Sequence, residues 1–202
     1  MFRSKAPVTF SLIAANVVVF LLQLAFGDSL VIAFALWPYG GVTVPPFHPW
    51  QLFTYAFLHA GFSHLALNMF ALYMFGPDIE RYFGPKRYLV YYFVCLTGAA
   101  LAQLAVGSLS SGPPAPTIGA SGAVMGLLLA FGMVYPQRRV IFLLLPIPIP
   151  AWLFVILYGL VELGSGVYGI QPGVAHFAHL GGMAAGLIMM MAWRRNRSLG
   201  VP

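Results

Sequence analysis

Residues 119–135 read GASGAVMGLLLAFGMVY, a serine in a tight glycine frame at the head of an apolar run of membrane length. Lipid gives no reason for a serine at that point. The start of a helix gives one, because its first backbone N–H groups have no intrahelical partner and lie at the positive end of the helix dipole. Such groups stabilise an oxyanion, so Ser121 is a candidate hydrolytic nucleophile. Taken alone, the segment has a second reading: Ser121, Gly122 and Gly126 would also form a small-residue packing ridge of the GxxxG kind. The remainder of the chain decides between the two.

The chain has 202 residues, of which 60% are hydrophobic and 7% charged. That balance excludes a soluble domain and points to membrane helices of about 20 residues each. Apolar runs predict six spans, near 7–27, 60–78, 86–107, 119–135, 150–168 and 174–193, in a single all-α membrane domain over residues 1–202. The run from Val8 to Phe26 is long for a signal h-region and lacks a small-x-small cleavage site, so it reads as a retained first span. Residues 28–51 form the longest connection and, broken by Pro38, read as an interfacial segment. Residues 108–118 (SLSSGPPAPTI) are a loop, and Pro146, Pro148 and Pro150 exclude a regular helix before the fifth span. The single cysteine, Cys95, cannot form an intramolecular disulfide.

The net charge of +6 is a topology signal. Arg3 and Lys5 precede span 1; Arg81, Lys86 and Arg87 lie between spans 2 and 3; Arg138 and Arg139 lie between 4 and 5; Arg194, Arg195 and Arg197 follow 6. The other three connections carry no Lys or Arg. The positive-inside rule then places both termini in the cytoplasm, and no nucleic-acid partner is called for. Trp50, Tyr88, Trp152 and Trp193 lie near span ends as interface anchors.

With this topology, spans 2, 4 and 6 all begin at the outer face. Span 2 carries His64 and Asn68, four residues apart and so on one face. Span 4 begins with Ser121, and span 6 carries His179 five positions after Val174. At about 1.5 Å rise per residue, all four groups fall within ~5–15 Å of the outer boundary. Polar groups within membranes face the protein interior and mark function. Ser121 is the candidate nucleophile and His179 the candidate base that takes its proton. Gly181, Gly182 and Gly186 of span 6, facing Gly122 and Gly126 of span 4, allow the close approach that a Ser–His hydrogen bond needs. His64 and Asn68 add side-chain donors to an oxyanion hole whose backbone donors lie at Ser121.

The acids are Asp28, Asp78, Glu80 and Glu162. None is aimed by the sequence at His179, so the site reads as a Ser–His dyad. Glu162, an acid within span 5, is by default a functional candidate, with a structural hydrogen bond the favoured reading. Glu80 and Arg87, with Arg81 and Lys86, read as a solvated cytoplasmic turn holding a structural ion pair. His176 and His179, three apart, could both face a cation. With no carboxylate or thiol placed beside them and no HExxH, neither a metal nor any cofactor is expected. His59 and His176 read as hydrogen-bonding to loop backbone.

These motifs give the chain a clear likeness. FLHAGFSHLALNMFALYMFGPDIE (57–80) with Gly84 and Arg87, GASGAVMG (119–126) and AHLGGMAAG (178–186) stand in that order on alternate spans. The sequence resembles the rhomboid family of intramembrane serine proteases from about Trp50 to Gly186. The resemblance implies a six-transmembrane-helix rhomboid-like bundle, Ser121 as nucleophile, His179 as base, and His64 with Asn68 around the oxyanion. It also implies cleavage of other proteins' transmembrane segments near their outer ends, beside a small residue. Two positions depart from the family's usual pattern. Trp50 is followed by Gln51 rather than arginine. Met125 stands where an aromatic residue often packs on the catalytic histidine, and methionine can serve there.

The expected protein is therefore a multi-pass serine endopeptidase of a prokaryotic plasma membrane, with membrane lipid and transmembrane protein substrates as its partners. Substrate access would run sideways past span 5, whose Gly159, Gly164 and Gly166 leave little bulk to lock it against span 2. Two other classes compete with this reading. A catalytically silent rhomboid-like protein that binds transmembrane helices would generally lack the nucleophile or the base. A small transporter would show an inverted repeat or paired broken helices, and neither is visible.

Overall fold

The computed structural model of the protein describes residues 6–39, 44–109, 115–142, 145–170 and 173–198. Arg3 and Lys5, and residues 110–114 of the Ser/Pro/Gly loop, lie outside these. The described chain is mostly helical. Helix α1 (Pro7–Phe26) is followed by short α2 (Asp28–Phe34), and α3 (Gln51–Thr54) runs into a single 3-10 turn, Tyr55–Phe57. Then come α4 (Phe62–Phe83), α5 (Pro85–Leu109), α6 (Ser121–Val134), α7 (Ala151–Tyr168) and α8 (His176–Ser198).

Three of these, α1, α5 and α7, are long and apolar enough to cross a membrane by length and composition. The other three long helices fall short for different reasons. α6 is strongly apolar but has 14 residues. α4 and α8 have 22 and 23 residues but are more polar, α4 with His64, Asn68, Asp78, Glu80 and Arg81 and α8 ending in three arginines.

The centre of the molecule is a three-helix seam. α8 lies against both α5 and α6 at distances that only glycine permits. A methyl group on Gly182 would overlap the Gly122 carbonyl, and one on Gly126 would overlap the Cys95 side chain. Gly98 likewise admits Ala185. One side chain that enters the seam is tied across it: the buried Tyr91 hydroxyl donates to the Gly126 carbonyl at 2.8 Å. Of the three span-6 glycines expected to face span 4, Gly182 does. Gly181 and Gly186 face α5 instead, at Gly98, Ala102 and Tyr91. Gly181 lies about 100° around the helix from Gly182 and so turns to α5, whereas Gly186 keeps nearly the face of Gly182 and meets the Tyr91 and Cys95 side chains that α5 sends there.

Two connections differ from the sequence reading. Two strands, β1 (Arg139–Phe142) and β2 (Leu145–Pro150), pair antiparallel, so the chain is not wholly α. Alternating prolines exclude helix but suit an edge strand, because each lacks an N–H to donate. The second difference is Glu80. It is 2% exposed rather than solvated. Its carboxylate accepts from the Val8 and Thr9 backbone N–H groups at 3.0 and 2.8 Å and from the Thr9 hydroxyl at 2.7 Å. The acid caps the first turn of α1, where orphan donors and the dipole favour a negative charge. The ion pairing falls to Asp78, which meets Arg81 and Arg138.

Candidate active site

The approach to Ser121 is set by a loop pinned from three directions. Leu36 and Thr117 exchange backbone hydrogen bonds of 3.0 and 2.9 Å. Gly119 donates its N–H to the Tyr55 carbonyl at 2.9 Å, and the Tyr55 hydroxyl donates to Leu96 on α5, also at 2.9 Å. Gly119 adopts φ +116°, open to glycine and strained for other residues. A Cβ there would also lie 2.7 Å from His64 Nε2. The glycine is thus required twice, by its backbone and by the side chain packed over it.

Ala120 is the N-cap of α6, and Ser121 is the first helical residue. The first intrahelical bond runs from Val124 N–H to the Ala120 carbonyl. The N–H groups of Ser121 and its successors therefore stand ahead of the ladder. Ser121 is half-buried, and its Oγ lies 2.7 Å from Nε2 of His179, which is buried on the first turn and a half of α8. The Gly122–Gly182 contact, three residues beyond His179, brings the two helices this close.

His64 and Asn68 reach the same place from α4, over Gly119. His64 Nδ1 accepts the Ala60 N–H at 3.3 Å, so a neutral ring carries its proton on Nε2, the atom facing Gly119. Asn68 Nδ2 donates one hydrogen to the His64 carbonyl at 2.9 Å, leaving its second. Ser121, His179, His64 and Asn68 are thereby gathered at one end of the bundle.

Glu162 departs from its sequence reading. Its Oε2 lies 2.7 Å from His176 Nδ1 and 2.9 Å from His179 Nδ1, with all three residues under 9% exposed. The contact to His179 is short but off the line of a hydrogen bond, and Nδ1 has no aligned partner among the described residues. The expectation that no carboxylate stands with these histidines is overturned, as is the expectation that Glu162 is not aimed at His179. A signal for this existed in the sequence. Consecutive antiparallel helices put the end of α7 beside the start of α8, and Glu162 is six residues before that end. The ligand atoms of Glu162, His176 and His179 lie within 4.8 Å of one another, a spacing that would also admit a cation.

The remaining histidines divide. His176 Nε2 does meet loop backbone, the Ile170 carbonyl, at 2.9 Å. His59 does not: neither ring nitrogen has a hydrogen-bond partner among the described residues. Its ring packs edge-on to His64, and its backbone is clamped by the Gln23 amide. Burial, reinforced by His64, pushes the His59 imidazole down to about 4 and keeps it neutral. Gln51 is fully buried and ties the Trp37 N–H to the Pro46 carbonyl, a bracing role in the first loop. Met125 is partly buried against the core.

The fold and site define a class: a helical membrane protein with a serine–histidine pair held at the starts of two glycine-packed helices. The Rhomboid domain model matches residues 46–196. The chain is 29% identical over 199 residues to the rhomboid protease GlpG of Yersinia pestis, covering 96% of this chain and 66% of that one. It is 31% identical over 153 residues to the rhomboid protease GluP of Bacillus subtilis, 76% of this chain and 26% of the relative. It is 34% identical over 162 residues to the mitochondrial RHOMBOID-like protein 12 of Arabidopsis thaliana, 72% and 46% respectively. The chain belongs to the rhomboid family. It spans a third to a half of the length of several curated relatives it matches, 46%, 42% and 33% for three from Arabidopsis thaliana.

Proposed function

We propose that this chain is an intramembrane serine endopeptidase that cleaves transmembrane segments of other proteins near their outer ends. The observation that carries the reading is the 2.7 Å contact between Ser121 Oγ and His179 Nε2, at the start of a helix whose leading N–H groups are free of the ladder. In this mechanism His179 removes the Ser121 proton as the oxygen attacks a substrate carbonyl, then returns it to the leaving amine. The developing oxyanion is held by backbone N–H groups at Ser121, with His64 Nε2–H and the second Asn68 N–H beside them.

The reading includes six spans, both termini in the cytoplasm and a prokaryotic plasma membrane, with the chain as one domain. The length of α6 supports the depth this needs. Fourteen residues cover roughly 21 Å, about two thirds of a 30 Å hydrocarbon core, so a helix ending at the inner boundary starts below the outer one. Substrate helices hide their carbonyls in internal hydrogen bonds, which lipid makes costly to break. Cleavage is therefore expected near the wet outer end, and the resemblance to the family implies a small residue beside the cut. Sideways access past α7 is supported at Gly164, which faces open space. Gly159 and Gly166 instead lie against Met183 and Phe177 of α8.

The test uses the full chain in lipid vesicles, single-span substrates and a fluorophosphonate probe. The wild type should cut the substrate and take the label, while Ser121→Ala should fold, insert and do neither. His179→Ala should be similarly inactive. Mass spectrometry of the fragments should place the cut near the outer end. Persistent cleavage by Ser121→Ala, or a cut at the cytoplasmic end, would refute the reading.

A further inference from the structure

Hydrogen-bond accounting around Glu162 leads beyond a two-residue mechanism. The Ile170 carbonyl can only accept, so the 2.9 Å contact requires a proton on His176 Nε2. A neutral imidazole then has none on Nδ1. Yet Nδ1 lies 2.7 Å from Glu162 Oε2, which as a carboxylate also only accepts. Two ring nitrogens facing two acceptors mean that the buried Glu162–His176 pair holds one proton more than a neutral ring plus a carboxylate. That proton balances the acid's charge within the pair, which makes a carboxylate tolerable at 5% exposure.

His179 presents the complementary requirement. Its Nε2 can take the Ser121 proton only if the neutral ring carries its own proton on Nδ1. That nitrogen lies 2.9 Å from the same Oε2. Nothing else described accepts from it. Off-line contacts of this length are usual before substrate arrives and tighten in the reacting complex. Tyr158, one turn earlier on α7, faces the same carboxylate and adds a polar neighbour there.

We propose that Glu162 is a positioning residue for His179. Balanced by His176, it selects the Nδ1–H form of the base and steadies the imidazolium formed when Ser121 is deprotonated. The proposal rests on the protease reading above and changes it from a pair to a chain: Ser121, His179, Glu162, His176. Glu162 touches neither substrate nor the reacting atoms and acts through His179 alone.

The test is made on the full chain in vesicles, comparing wild type, Glu162→Leu and Glu162→Asp. Four readouts are needed: kcat, KM, thermal midpoint, and the His179 tautomer from 15N NMR of histidine-labelled protein. The Leu variant should lose about 10- to 100-fold in kcat, the scale for outer partners that orient histidines, with KM unchanged. Its share of Nδ1–H tautomer should fall, and Asp should recover most of both losses. If Leu does not fold, Glu162→Gln takes its place, with the same signs and a smaller loss. An unchanged kcat and tautomer in the folded variant would overturn the proposal and leave the protease reading standing. A wild type that neither cuts substrate nor takes the fluorophosphonate label would remove the protease reading itself. Wild-type activity that a chelator abolishes and zinc restores would make the three residues a metal site and also overturn the proposal.

Discussion

Helices α6 and α7 are neighbours, both apolar, and held in opposite ways. Nine of the 14 residues of α6 are buried, among them Gly122, Gly126 and Gly132. Four of the 18 residues of α7 are buried: Ala151, Val155, Glu162 and Ser165. α6 is fixed by backbone-to-backbone contact with α8. α7 is seated at its first turns, where Val155 and Ala151 meet Gly132, and near its end by Glu162, which meets His176 and His179 of α8, and by Gly166 against Phe177. Hydrophobic burial alone does not discriminate between protein and lipid as surroundings, so close packing and polar contacts decide which helix is fixed. The serine sits on the more deeply buried of the two helices.

The largest effect expected along this contrast is at the rim of the fixed helix. His64→Ala and Asn68→Ala should each lower turnover by about 10²–10³, the usual loss for one oxyanion donor, without eliminating it. Steady-state cleavage assays with the thermal midpoint as control check this, and unchanged rates for both would make that face of α4 purely structural.

Next is the seam itself. In Gly182→Ala the added methyl overlaps the Gly122 carbonyl, which is backbone and cannot rotate aside. α6 and α8 must separate, at a cost of about 1–3 kcal/mol in stability. A displacement of 1 Å between Ser121 and His179 would lower cleavage by about 10². Thermal unfolding and cleavage measured on the same sample should fall together. If stability falls alone, the serine–histidine contact does not depend on the seam.

The smallest effect is on α7. Gly164 meets nothing within 4 Å, so Gly164→Ala should cost no stability and gain up to about 1 kcal/mol from helix propensity. A marked loss of activity in this variant, with its stability kept, would show that α7 must bend at Gly164 during substrate access.

Much of the site was legible because its residues advertise themselves against an apolar background. A serine among glycines, and His64, Asn68 and His179 within predicted spans, are costly in lipid without a polar partner, and the span order put them at one end of the bundle. Glu162 and Glu80 are equally visible as residues, but the sequence names no partner for Glu162 and leaves Glu80 on a solvated turn. Their partners are 14 and 71 residues away in sequence, across different helices, and no local pattern encodes such a pairing. His59 shows the converse case, since a loop position suggested backbone hydrogen bonds and burial beside His64 replaced them.

Composition alone determined that this is a helical membrane chain, and the order of apolar runs and charges led to the expectation, met by the 2.7 Å contact, that Ser121 and His179 lie near one level. They did so because apolar length and the placement of Lys and Arg are read by the bilayer one segment at a time. Helical phase, side-to-side packing and the partners of buried acids belong to the tertiary structure. It decided that Gly182 meets Gly122 while Gly181 and Gly186 turn to α5, that Glu80 caps α1, and that Glu162 stands between two histidines. The physical reason is that a glycine or carboxylate acts through whatever lies within about 3 Å, the reach of a hydrogen bond or a close backbone approach. Which group lies there is set by how several helices pack at once.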